Sequence, residues 1–175
     1  VDVLERGKYS HRDFENIIIK VVNALPDASG TFNAIRDYYN EQVNVNVVDI
    51  IPFSSSRKFS ACQIDNTSYY IGAPEYVLKN NLEIIDEDIK KKQNDYRVLV
   101  IASNNDKLDD SPKDLEIVGY LLIEDEIRKE ARDTLNFFKE QGVKIKIISG
   151  DNYKTVLNIA KKVGLSNLKG IDTSK

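Results

Sequence analysis

Phe14, Ile17, Ile18, Val21, Val22 and Leu25 recur at helical spacing and Pro26 ends the run, so the first strong pattern in the chain is an amphipathic helix. Ser10-His11-Arg12-Asp13 opens it with a capping hydroxyl and an acidic first turn. Residues 1–4 are apolar enough for a short strand before it. Phe32, Ile35, Tyr38 and Tyr39 predict a second helix, capped by Ser29 or Thr31. The period then changes to two. Residues 43–47, 50–53, 59–64 and 68–71 read as strands, with Asp65-Asn66-Thr67 as a hairpin turn between the last two. Pro74 suits the first position of a short helix, residues 86–94 a polar helix, and residues 97–102 another strand.

A loop-like stretch, residues 104–114, is rich in Asn, Asp, Ser, Lys and Pro. Beyond it the grammar alters. Residues 117–123 read as a strand, and Asp125 caps a helix with Ile127, Ala131, Leu135 and Phe138 turned inward and Gly142 at its end. Val143, Ile145, Ile147 and Ile148 then predict a buried strand, Ser149-Gly150-Asp151-Asn152 a polar turn, and Val156, Ile159, Ala160 and Val163 a helix closed by Gly164. This β-α-β-α order predicts a parallel sheet with a right-handed crossover. Ligands in such sheets bind at the carboxyl ends of strands, beside helix N-termini that favour anions. Ser149 and Asp151 are therefore placed to meet a phosphate or a metal–phosphate, although the same residues also serve as a turn and an N-cap. The chain divides near residue 116 into an antiparallel α+β part, residues 1–116, and a parallel α/β segment, residues 117–175.

Composition narrows the chemistry. The chain has 175 residues, 41% apolar and 30% charged, as in ordinary globular proteins. A net charge of −3 without a basic stripe argues against nucleic acid as a partner. The single cysteine, Cys62, excludes an internal disulfide, and as one of a run of apolar and small residues it reads as buried and inert. His11 and Cys62 alone cannot make a zinc site, and no metal site is expected. No apolar run is long enough to span a bilayer. Met is absent, which reads as a processed chain or an excised piece.

Five segments, ordered along almost the whole chain, resemble the cytoplasmic part of P-type, cation-transporting ATPases. Phe53-Ser54-Ser55-Ser56-Arg57-Lys58 is similar to the family's adenine-binding segment, and Gly72-Ala73-Pro74-Glu75 to its Lys-Gly-Ala-Pro-Glu motif. Tyr96-Arg97-Val98-Leu99 resembles the Arg-containing strand that follows, and Asp125-Glu126-Ile127-Arg128 the Asp-Pro-x-Arg hinge segment. Ile148-Ser149-Gly150-Asp151-Asn152 is similar to the Thr-Gly-Asp motif. The resemblance implies a nucleotide-binding domain over residues 1–116 and part of a haloacid-dehalogenase-like phosphorylation domain over residues 117–175. It implies ATP as ligand and Mg2+ in the intact enzyme. The implied partners are the actuator domain, the rest of the phosphorylation domain, the transmembrane helices and a transported cation, with the chain on the cytoplasmic side of the cell membrane. Phe53 would stack on adenine, flanked by Ser54. Lys58 and Arg97 would contact phosphates or shape the pocket, and Gly72 and Ala73 would let the backbone pass close to the purine. Ser149, Gly150 and Asp151 would lie near the transferred phosphoryl group, with Asp125 and Arg128 at the hinge.

The departures are specific. Ile71 stands where the family's motif lysine precedes Gly-Ala, and Ser149 where it has Thr. A weak alignment of Thr31-Phe32-Asn33-Ala34 to the family's Thr-Glu-x-Ala segment puts Phe32 where an acidic pocket residue often sits. The phosphorylated aspartate of the Asp-Lys-Thr-Gly-Thr motif is expected before Val1, and the magnesium-binding Gly-Asp-Gly-x-Asn-Asp segment after Lys175. On this reading the chain binds nucleotide without turning it over. Two other readings compete: a stand-alone haloacid-dehalogenase-type phosphatase using Asp49, and a non-catalytic interaction module with a Tyr-rich surface.

Overall fold

The computed structural model describes residues 1–5, 8–79, 81–93, 95–124, 130–149, 153–166 and 168–171. Its centre is a six-stranded sheet built from β1 (Asp2–Glu5), β2 (Val47–Ile51), β3 (Phe59–Ile64), β4 (Thr67–Gly72), β5 (Arg97–Asn104) and β6 (Glu116–Ile123), in the order β1-β6-β5-β4-β3-β2. Every neighbouring pair is antiparallel. The β3–β4 hairpin turns at Asp65, which takes a left-handed φ of 51°, where the sequence placed it.

Both faces of the sheet are covered. On one lie α1 (His11–Ala24) and α2 (Gly30–Tyr39), whose Phe14, Ile18, Val21, Phe32 and Ile35 pack on Cys62, Ile71, Ile101 and Leu121. Ser10 and Asp13 form a reciprocal capping box at the start of α1, and Ser29 caps α2 by accepting the Phe32 N–H. On the other face, α3 (Pro74–Val77), a 3-10 turn (Leu82–Ile84) and α4 (Glu87–Lys92) place Val77, Leu78, Ile85 and Ile89 on Phe59, Tyr70, Val100 and Tyr120. Cys62 is fully buried in the first core, and burial pushes its thiol up to about 12, so the thiolate is negligible at neutral pH.

Three expectations for the C-terminal part are corrected. Residues 117–123 do not start a parallel sheet; as β6 they pair antiparallel with β1 and β5, one strand in from the edge of the single sheet. Residues 143–149 form no strand. Val143 and Ile147 are half-exposed and Ile148 is 97% exposed, because no described strand lies beside them to pair with. Phe138, expected inward on α5 (Ala131–Glu140), is 41% exposed, and α5 buries no residue fully. The helix ends follow expectation: Gly142 (φ 70°) closes α5 and Gly164 (φ 91°) follows α6 (Tyr153–Lys162). Residues 43–46 also stay outside the sheet, so β2 begins only at Val47.

Candidate nucleotide-binding site

Antiparallel pairing brings the C-terminal ends of β2, β4 and β6 and the N-terminal ends of β3 and β5 to one end of the sheet. Phe53, Ser54, Lys58, Gly72, Ala73 and Arg97 all lie there. They come from three separate stretches of sequence, and the fold gathers them.

The β2–β3 connection is a built loop. The Lys58 N–H donates to the Ser54 carbonyl at 2.8 Å, and the Arg57 N–H to Ser54 Oγ at 3.1 Å. Lys58 takes a left-handed φ of 57° to turn the chain into β3. Arg57 braces this turn from within: it donates to the Pro52 carbonyl at 2.7 Å, pairs with Asp110 at 3.1 Å and lies over the Phe59 ring. Its guanidinium is thereby committed to structure, while Lys58 is left exposed.

Gly72 fits against this loop with no room to spare. A Cβ there would meet the Lys58 carbonyl oxygen at 2.5 Å and Phe59 Cα at 2.6 Å. The next N–H, that of Ala73, donates to the same Lys58 carbonyl at 3.2 Å. The segment from Phe53 to Lys58 and the Gly72-Ala73 pair are thus one unit held by the β3–β4 ladder. Phe53 stands at its rim with half its surface exposed. This decides against Phe53 as plain core, since a packed phenylalanine would be almost wholly covered.

Arg97 begins β5 on the far side of β4, opposite Ile123. It is exposed, and its Nη1 donates to Thr31 Oγ1, at the start of α2, at 3.3 Å. The two substituted positions lie beneath: Ile71 and Phe32 are both buried in the α1/α2 core, so neither offers a charge to a ligand. Thr31 and Arg57 touch this region through side-chain bonds, and the sequence alone gives neither a site role. Thr31 was within reach of the weak Thr31–Ala34 alignment; Arg57 depends on Asp110, which no local pattern connects to it.

Ser149 is exposed on an irregular segment that follows α5. Gly150, Asp151, Asp125 and Arg128 lie outside the described residues. Among the described residues no three His, Cys, Asp or Glu side chains are grouped so as to hold a metal ion, so none of them is assigned to Mg2+. No described helix is long and apolar enough to cross a membrane.

The sheet is covered by helices on both faces and carries an exposed aromatic and two exposed cations at one end, which makes this an α/β domain with a candidate ligand site. The profile of the haloacid dehalogenase-like hydrolases matches residues 9–174, and the chain belongs to that family. Its relatives there are cation-transporting ATPases. It is 33% identical over 173 residues to the probable cation-transporting ATPase exp7 of Streptococcus pneumoniae, covering 95% of this chain and 22% of that protein. It is 32% identical over 146 residues to the calcium-transporting ATPase CtpE of Mycolicibacterium smegmatis, covering 82% of this chain and 18% of that one. The fold is also that of part of a zinc-transporting PIB-type ATPase captured in its E2.Pi state, with a TM-score of 0.61 at 16% identity, over 94% of this chain and 25% of the other. The chain thus spans about a fifth of the length of the curated relatives it matches.

Proposed function

We propose that this chain is the nucleotide-binding part of a P-type cation pump, followed by a portion of its phosphorylation domain, and that it holds ATP at the sheet end described above. The observation that carries the reading is Phe53, a half-exposed aromatic ring at the same end of the sheet as the exposed Lys58 and Arg97. A ring with a free face can stack on a purine, a contact worth about 1–3 kcal/mol per base in the single-stranded nucleic-acid case. Lys58 and Arg97 supply charges for the phosphates, and Gly72-Ala73 let the backbone pass close to the base. With Ile71 and Phe32 buried, fewer charges reach the ligand. Affinity then falls in the micromolar to millimolar range, and about −4 kcal/mol corresponds to 1 mM.

The phosphorylation portion follows the sheet. Because β6 is bonded into the antiparallel sheet, we place the change of unit after Ile123 rather than at residue 116. Ser149 and Asp151 belong to that second unit, with Asp125 and Arg128 at the hinge between the two. Mg2+ serves the intact enzyme, and the chain lies on the cytoplasmic side of a membrane whose spanning helices belong to the parent. The 175 residues contain no Asp-Lys-Thr-Gly segment. An in-line phosphoryl transfer needs a nucleophile and a metal to hold the developing charge, so the chain binds ATP without hydrolysing it.

The test is an ATP titration followed by two-dimensional amide NMR. Saturable shifts are expected around Phe53, Lys58, Gly72 and Arg97, and Phe53→Ala is expected to weaken binding about tenfold with the fold unchanged. Phosphate release should stay at buffer background throughout. A folded wild type that shows no shifts at millimolar ATP, or a Phe53→Ala variant that binds as well as wild type, would falsify the proposal.

A further inference from the structure

The Arg97–Thr31 hydrogen bond joins residues 66 positions apart, and it links the start of β5 to the start of α2. The two ends of this bond are held very differently. Thr31 is half-buried on a rigid base: Ser29 Oγ caps the Phe32 N–H, Phe32 and Ile35 are buried against the sheet, and Arg36 ties α2 to the end of α1. Arg97 has a fixed backbone, paired with Ile123 and followed by buried Val98, and its exposed side chain donates to Thr31 at the sheet end. An arginine side chain carries about 2 kcal/mol of rotamer entropy. A hydroxyl anchored on a packed helix removes part of that freedom before any ligand arrives.

Resting on the assignment of Arg97 to the nucleotide phosphates, we propose that Thr31 is a positioning residue for that contact. It acts through Arg97 and does not itself touch the nucleotide. A guanidinium carries five N–H donors, so the bond to Thr31 orients its plane without exhausting its capacity for phosphate oxygens. Binding of the phosphates is thereby coupled to α2, an element remote in sequence from all three segments of the site. The base, stacked on Phe53, does not depend on this bond.

The experiment separates phosphate from base. ATP and adenosine are titrated by amide NMR into wild type, Thr31→Val, Thr31→Ser, Arg97→Ala and the Thr31→Val/Arg97→Ala double variant. Thr31→Val is expected to weaken ATP about fivefold, the scale of one hydrogen bond to a charged group at a solvated site, and to leave adenosine within about twofold. Thr31→Ser, which keeps the hydroxyl, is expected to restore ATP affinity. In the Arg97→Ala background the Thr31→Val change is expected to add nothing. An unchanged ATP affinity in Thr31→Val overturns this inference alone. So does an equal loss for ATP and adenosine, which would mean a packing defect in α2, and so does additivity in the double variant. Wild-type protein that binds neither ligand overturns the nucleotide assignment itself, and the inference falls with it.

Discussion

Gly72→Ala is expected to lower the free energy of unfolding by about 2–3 kcal/mol, the usual cost of forcing an extra group into a packed site. It is also expected to abolish ATP binding at concentrations that saturate the wild type. The added methyl would stand 2.5 Å from the Lys58 carbonyl oxygen and 2.6 Å from Phe59 Cα. Both are backbone atoms, so no side-chain rotation relieves the clash. Relief requires β3 and β4 to separate at the Phe59–Gly72 pair. That movement breaks the Ala73 N–H to Lys58 carbonyl bond and releases the turn that carries Lys58. Glycine is required at this position for space, which is why the effect reaches both stability and the ligand. Urea unfolding gives the first number and the amide titration the second. A Gly72→Ala variant within about 0.5 kcal/mol of wild type, the range of an ordinary surface change, would show that the two strands are not held as closely as described.

The same region shows what a sequence can and cannot disclose. The helix over residues 11–24, the hairpin at Asp65 and the helix opened by Pro74 are local in origin, and apolar spacing and capping residues declared them. Gly72 and Phe53 stood out only through their resemblance to known segments, because nothing local distinguishes a rim phenylalanine from a core one. The largest misreading concerned β6. A strand buried on both faces reads as a continuous apolar run, as parallel strands do; here both faces are buried because α1 and α2 cover one and α3 and α4 the other. Periodicity cannot tell these cases apart, since the direction of pairing is decided by residues far away. Residues 143–148 failed for a related reason. β-branched residues make a segment fit for a sheet, but a strand exists only with a neighbour to bond to. The contacts of Arg97 with Thr31 and of Arg57 with Asp110 are non-local side-chain pairings of the same kind.

Arg36→Ala is expected to destabilise the fold by about 2–4 kcal/mol, as the loss of several charge-assisted hydrogen bonds from half-buried carbonyls. The last carbonyls of a helix have no partner within it, and at the end of α1 the sequence supplies neither a glycine cap nor a basic residue in the last turn. Arg36, on the neighbouring α2, takes that role. Its Nε and Nη2 donate to the Val22 carbonyl at 3.1 and 3.0 Å, Nη2 to the Leu25 carbonyl at 2.7 Å, and Nη1 to the Asp27 carbonyl. The same guanidinium lies over the Phe32 ring. One side chain therefore closes α1, shapes the turn through Pro26 and fixes α2 beside it. A lysine offers one compact charge in place of a planar fork, so Arg36→Lys is expected to recover less than half of the loss. Amide exchange should quicken first at the α1–α2 junction in both variants, with the β3–β5 ladder following only as global stability falls. Because the base of Thr31 rests on this junction, Arg36→Ala should also weaken ATP more than adenosine in the protein that remains folded. Equal stability of Arg36→Ala and wild type would show that water satisfies the end of α1, and that α2 is held by its apolar face alone.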